Sequence, residues 1–192
     1  TRLVGHQREV SLEGLGQPTS VPLAGLRYDL VDATDRVVIT GYTDDAGQVE
    51  KPYRAVPREA LRLRVLAESA WSQAPVRVGP SESDDRPWST EVIELTAGQE
   101  VPARLELEED ESLNGAFFVA RTVARALVSL NSFLPERGVV PPVFVRWRPN
   151  QSAECGTCFI PGEAPRIELS GRVADPDEWD ESVILHELGH YV

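Results

Sequence analysis

The chain has 192 residues and a formal net charge of −12 at pH 7, with a pI of about 4.7. Its positive charge is almost all arginine scattered among acidic residues, with Lys51 as the only lysine. It therefore lacks the basic stripe that binds nucleic acid or an anionic membrane surface, and both are poor candidates as partners. Hydrophobic residues make up 41% and charged residues 26%, a composition typical of a folded protein with a packed core.

The apolar runs and the first residues of the sequence bear on membrane insertion, export and completeness. No apolar run reaches the roughly eighteen residues of a membrane span, and no signal peptide is visible. The chain contains no methionine and begins at Thr1. We therefore expect it to be a fragment of a longer parent chain.

Residues 21 to about 66 show the period-two alternation of half-buried strands. The apolar positions of the first predicted strands are Leu26, Tyr28 and Leu30, then Val37 and Ile39, then Leu61, Leu63 and Val65. Two later segments, 91–95 and 101–107, repeat the pattern around the turn Ala97-Gly98-Gln99. Residues 69–90 are interpreted as a long surface loop, with a domain boundary there as the alternative. Several short strands separated by turns predict an antiparallel β-sandwich over residues 1–110.

The segment Gly41-Tyr42-Thr43-Asp44-Asp45-Ala46-Gly47, together with the strand that precedes it, resembles a known module. It is similar to the transthyretin-like or carboxypeptidase-regulatory-like β-sandwich, although an immunoglobulin-like sandwich fits almost as well. The resemblance implies a structural or binding role for this region. It also implies a secreted, periplasmic or cell-surface location.

Residues 111–192 predict an α/β lobe. A helix is expected from an N-cap at Asn114 to about Leu134, with apolar residues at intervals of three and four. Strands are predicted at residues 142–147 and 166–170. A second helix is expected from Pro176 to the end of the chain, with Asp175 as its cap. The predicted fold class is α+β, a β-sandwich followed by this lobe.

The motif His186-Glu187-Leu188-Gly189-His190 carries the chemistry. Two histidines four residues apart lie on one face of a helix, so both imidazoles can bind the same metal ion. Neutral imidazole is a good Zn²⁺ ligand, and two from one rigid turn fix two corners of a tetrahedron. As the motif is usually built, Glu187 reaches a zinc-bound water and takes its proton as that water attacks a polarised carbonyl. Gly189 predicts a close neighbour packed against that turn.

The last twelve residues, Glu181 to Val192, resemble the active-site helix of zincin metallopeptidases. The resemblance implies that His186 and His190 are zinc ligands, that Glu187 is the catalytic base and that the substrate is a protein or peptide. It also implies a third ligand downstream, which we expect from the remainder of the parent chain. The strand at residues 166–170 is the candidate sheet edge for binding extended substrate.

Two alternatives use the same residues. Cys155 and Cys158 could join His186 and His190 in a closed structural zinc site, although a local disulfide between the cysteines is the preferred interpretation. The chain could also be a non-catalytic surface or assembly module with a degenerate peptidase-like lobe. His6 lies outside any motif and is expected at the surface.

Overall fold

A computed structural model of the chain describes residues 1–49, 60–71, 75–81, 86–96, 101–108, 112–133 and 140–192. Within these ranges the protein is mixed α+β, with two α-helices and several sheets. The helices are α1, Asn114–Phe133, and α2, Glu181–Tyr191. Neither has the length and apolar character that a bilayer-spanning segment needs.

The strands of the described residues are short and come mostly before α1. In chain order they are β1 Arg2–Gln7, β2 Val10–Ser11, β3 Gly14–Leu15, β4 Thr19–Pro22, β5 Arg27–Asp32, β6 Val37–Tyr42, β7 Ala60–Leu66, β8 Glu68–Ser69, β9 Val76–Gly79, β10 Ser89–Thr96, β11 Arg104–Glu106, β12 Val143–Trp147, β13 Cys158–Ile160 and β14 Arg166–Leu169.

An antiparallel sheet in the order β10-β7-β5-β6 contains the strands with the clearest alternation. Tyr28 and Leu63, which the pattern assigns to inward faces, are buried as predicted. The turn after β6 also has the predicted chemistry. The Asp44 side chain accepts hydrogen bonds from the backbone N–H of Ala46 and Gln48, and Gly47 has a φ of +76°.

A second sheet has the order β11-β1-β4. β11 pairs with β1 in parallel, and β10 pairs with β7, so the two segments predicted around residues 97–99 belong to different sheets. The turn itself lies outside the described residues. The prediction for His6 was wrong, because this β1 side chain is buried and its Nε2 donates to the Leu107 carbonyl oxygen at 3.0 Å.

The third sheet has the order β13-β14-β12-β9-β8. β9, β12 and β14 are parallel to one another, with antiparallel strands on either side. β9 lies within the segment predicted as a loop, residues 69–90, and β8 ends at its first residue, so the prediction of a continuous loop was wrong. Both strands also lie before residue 110 yet share a sheet with β12, so the boundary predicted there does not separate two sheets.

Helix α1 follows its predicted apolar stripe, with Phe117, Val123 and Leu127 all fully buried. It packs against β9, β1 and α2. Asn114 is the first residue of the helix and does not act as the predicted cap: its side chain accepts from the His6 backbone N–H and donates to the Glu108 carbonyl oxygen. The expected end at residue 134 lies just outside the described residues.

Candidate metal centre

Helix α2 begins five residues later than the sequence predicted. Residues Asp177–Trp179 form one 3₁₀ turn, and the cap is Asp180. Its Oδ1 accepts from the backbone N–H groups of Ser182 at 2.9 Å and Val183 at 3.2 Å. These bonds satisfy two of the donors that a helix leaves unpaired at its start. A tight cap therefore fixes where the helix begins.

The segment before α2 is held by bonds to residues distant in sequence. Thr157 donates its hydroxyl hydrogen to Asp177 and accepts from the Ser170 backbone N–H at 2.8 Å. The Ser170 hydroxyl donates to the Asp175 carbonyl oxygen at 2.9 Å. Because residues 175–177 make these tertiary contacts, they form turns and the 3₁₀ start instead of the first turn of α2.

The two candidate ligands lie on the solvent-exposed face of α2. Ile184 and Leu188 are buried and fix the orientation of the helix against the core. His186 and His190 follow these positions by two residues each, which places them about 200° further around the helix. Both are exposed. A metal ion could therefore reach them without any opening of the core.

The two imidazole rings meet at their Nε2 atoms. The distance between the His186 and His190 Nε2 atoms is 3.2 Å, the ring centroids are 4.8 Å apart, and the planes cross at 85°. Two nitrogens on a tetrahedral zinc ion, with ordinary zinc–nitrogen bonds, lie about 3.3 Å apart. The pair of nitrogens thus has the separation of two zinc ligands.

Glu187 lies on the flank of the same turn. It is half-buried, about 100° around the helix from His186, so it does not point along the direction of the two rings. Its carboxylate is close to the site in sequence and on the same rigid turn. The predicted role as a base acting beside the metal is compatible with that position.

The last turn of α2 is anchored to the parallel sheet. The Tyr191 hydroxyl donates to the Pro142 carbonyl oxygen at 2.5 Å, and its ring meets the Phe159 ring edge-on at 5.7 Å. Phe159 belongs to β13, so α2 is fixed beside that strand. This anchoring holds His190 in place because it is the residue before Tyr191.

The sheet edge beside α2 differs from the predicted one. β14 is an inner strand, paired with β12 on one side and β13 on the other. In the part of the chain described, β13 is the outer strand. The candidate edge at residues 166–170 is therefore corrected to residues 158–160. The sequence does not indicate β13, because this short strand is flanked by a disulfide loop and by a segment that contains Gly and Pro.

The cysteines do not join the histidines. Cys155 and Cys158 form a disulfide with each other, as preferred from the sequence, which leaves no thiolate for the closed zinc site. Among the described residues, no group of three or more His, Cys, Asp or Glu side chains is placed to hold a metal ion. The described part of the chain thus brings together two candidate ligands, His186 and His190.

The packing predicted for Gly189 was wrong. A Cβ built at this position meets no atom within 4 Å, so the glycine faces open space. Close packing does exist at the other helix, where a Cβ at Gly115 would lie 2.7 Å from Glu178 Cγ and 3.0 Å from the Trp147 ring.

Glu178 is a buried carboxyl group in the segment predicted as the first turn of the second helix. It lies against Gly115 and Trp147, at the junction of the two helices. The pKa of Glu178 is raised to about 7, chiefly by burial and to a smaller extent by the nearby charges of Asp177 and Asp175. The only signal in the sequence is the run of acids at residues 175–180, which does not reveal the one that is buried.

Comparisons with family models, with curated proteins and with solved structures gave no match for this chain. The candidate metal centre is therefore defined by the helix, its cap and the separation of the two imidazole nitrogens.

Proposed function

We propose that the chain carries two zinc ligands and the catalytic carboxylate of a metallopeptidase that cleaves protein or peptide substrates. The observation that carries this proposal is the 3.2 Å separation of the His186 and His190 Nε2 atoms on an exposed helical face. The sequence between them supplies the carboxylate that this chemistry uses.

Each residue of the motif would have a separate role. His186 and His190 would hold Zn²⁺ through Nε2, and the remainder of the parent chain would supply a third ligand. When bound, zinc polarises a carbonyl and lowers the pKa of water towards neutrality. The Glu187 carboxylate would accept a proton and later deliver it to the leaving amine. The buried pair Ile184 and Leu188 keeps the helix from rotating and thereby fixes the direction of all three side chains.

The position of β13 supports a peptide as the substrate. An outer strand has backbone groups free to pair with an added extended chain. β13 lies beside α2, and the Phe159–Tyr191 contact links the two elements. An extended peptide paired with β13 would therefore pass along the helix that carries the histidines.

The disulfide of the α/β lobe supports a location outside the cytoplasm. The disulfide between Cys155 and Cys158 is typical of exported proteins. We infer that the sheets containing β5 and β1 pack as the predicted sandwich, because Tyr28 and Leu3 belong to one buried cluster. That cluster continues to Ile184 in α2, so the β region also supports the helix that bears the candidate site.

Metal binding by the parent chain tests the first half of the proposal. Equilibrium dialysis of that chain followed by elemental analysis should give one zinc per chain, and the His186→Ala and His190→Ala variants should each lose it. The double variant Cys155→Ser/Cys158→Ser is the matched control and should keep its zinc. Zinc retained in either histidine variant would contradict the assignment of ligands.

Hydrolysis tests the second half. In the parent chain, Glu187→Gln should abolish cleavage of a peptide substrate while the zinc content stays unchanged, because the amide cannot accept the proton. Wild-type cleavage by that variant would remove Glu187 from its role.

A non-catalytic surface or assembly module remains the second candidate function. It is favoured by the presence of only two clustered ligands in the described residues. It predicts weak zinc binding with no hydrolysis by the parent chain, so the two experiments above separate the candidates.

A further inference from the structure

The outer strand β13 is short and depends on links outside its own backbone pairing. It has three residues, Cys158–Ile160, and within the described residues it pairs with β14 alone. A strand of this length with one partner has little stability of its own. Two further links hold it: the Phe159 ring meets the Tyr191 ring of α2, and a covalent bond joins Cys158 to Cys155. The disulfide is therefore a main support of this strand.

The loop that the disulfide closes also positions Thr157, which lies between the two cysteines. The Thr157 hydroxyl donates to the Asp177 carboxylate and accepts from the Ser170 backbone N–H at 2.8 Å. Ser170 directly follows β14, so these bonds tie the start of β13 to the end of its neighbouring strand. Opening the loop would give Thr157 more conformational freedom and weaken both bonds.

The disulfide is accessible to a reductant. Cys155 is exposed, and a Cβ built at the neighbouring Gly156 meets no atom within 4 Å, so the loop faces open space. Exposed disulfides are the ones that exchange most readily with thiols. A dithiol would attack one sulfur to form a mixed disulfide and then close its own disulfide. Two electrons and two protons would pass to Cys155 and Cys158, which would remain as two thiols.

We propose that the Cys155–Cys158 disulfide is a redox switch of the outer strand: reduction by a dithiol releases β13 and weakens the binding of an extended peptide there. This regulation rests on the proposed function, in which β13 is the edge that pairs with the substrate. The candidate zinc ligands would not move with the strand. Asp180 would still cap α2, and the Tyr191 hydroxyl would still donate to the Pro142 carbonyl oxygen. The switch therefore acts on peptide binding and leaves metal binding unchanged.

Hydrogen–deuterium exchange of the parent chain, read by mass spectrometry, tests the release of the strand. After reduction with dithiothreitol, the amides of residues 157–160 should exchange about tenfold faster, because local opening of β13 becomes easier. Amides of β5 and β7, which lie in another sheet, should exchange as before, and this excludes general unfolding. Glu154→Gln, an exposed change beside the intact disulfide, is the matched control and should respond as the wild type does. Unchanged exchange of residues 157–160 on reduction would overturn the proposal, whether or not the parent chain cleaves peptides.

Peptide hydrolysis by the parent chain tests the consequence for the substrate. The Cys155→Ser/Cys158→Ser variant represents the reduced state without a dithiol, whose thiolates would bind zinc. Its KM should rise about tenfold while kcat and zinc content stay unchanged, because only substrate binding is weakened. Glu154→Gln should keep the wild-type KM. An unchanged KM in the cysteine variant, or a fall in kcat alone, would overturn the proposal. A wild-type parent chain that cleaves no peptide would instead contradict the proposed function, and the exchange experiment would then decide whether the disulfide holds β13.

Discussion

The two helices are held in different ways, and the difference explains why one of them keeps an exposed face for the candidate site. α1 has 20 residues and buries Phe117, Val123 and Leu127 completely, without an acidic residue in its first turn. α2 has 11 residues, buries only Ile184 and Leu188, and depends on the Asp180 cap. A helix held by a cap and a narrow buried stripe keeps most of its surface free. The exposed face of α2 is where the two histidines converge.

The largest expected change in the free energy of unfolding comes from removing a buried ring from α1. Phe117→Ala should lower the free energy of unfolding by about 3–5 kcal/mol, because it removes a fully buried ring and leaves a cavity. Urea denaturation measures this. Phe133→Ala in the same helix is the control and should change stability by no more than about 0.5 kcal/mol, since Phe133 is exposed. Equal effects of the two variants would mean that α1 is not held by its buried stripe.

The junction between the helices gives the second effect, which depends on pH. The pKa of Glu178 is raised to about 7 in the folded protein from an ordinary value of 4.5, so the folded state holds a proton that the unfolded chain releases. The stabilisation is complete below pH 4.5 and is lost as the pH rises through 7. The loss reaches up to about 3 kcal/mol.

Glu178→Gln should remove this loss, because the amide stays neutral. The urea midpoint of the wild type should be lower at pH 8 than at pH 5. In the variant this decrease should be smaller, because no buried carboxyl group has to ionise. Glu181→Gln, an exposed position on α2, serves as the control and should leave the difference unchanged. A wild-type pH dependence in Glu178→Gln would show that the buried carboxyl is not its source.

The sequence predicted local features well and long-range ones poorly. Period-two alternation found β5 and β7, and spacing of three and four found α1, because a segment's own residues create those patterns. The four residues of β9 lie between Pro75 and Pro80, and their pairing with β12 joins segments more than sixty residues apart. Nothing within so short a segment indicates such a partner.

The candidate site was predicted in part, for the same reason. The spacing of His186 and His190 is a local property and correctly predicted one shared face. The predicted start of α2 was wrong because Asp175-Pro176 resembles a helix cap. In the structure, Thr157 and Ser170 hold that segment in a turn. The burial of Glu178 depends on Gly115 in the other helix, which is also invisible to local patterns.

The smallest expected change in the free energy of unfolding comes from replacing one glycine with alanine in each helix. Gly189→Ala should raise the free energy of unfolding by up to about 1 kcal/mol, because alanine favours the helix and its Cβ meets open space. Gly115→Ala should instead lower it by about 1–3 kcal/mol, since the new Cβ would press on Glu178 and Trp147. Urea midpoints of the two variants give both signs. Zinc content should be unchanged in Gly189→Ala, because the substitution leaves both imidazoles in place. If Gly189→Ala were as destabilising as Gly115→Ala, the exposed face of α2 would have to be covered by other atoms, and the free access of a metal ion to His186 and His190 would be lost with it.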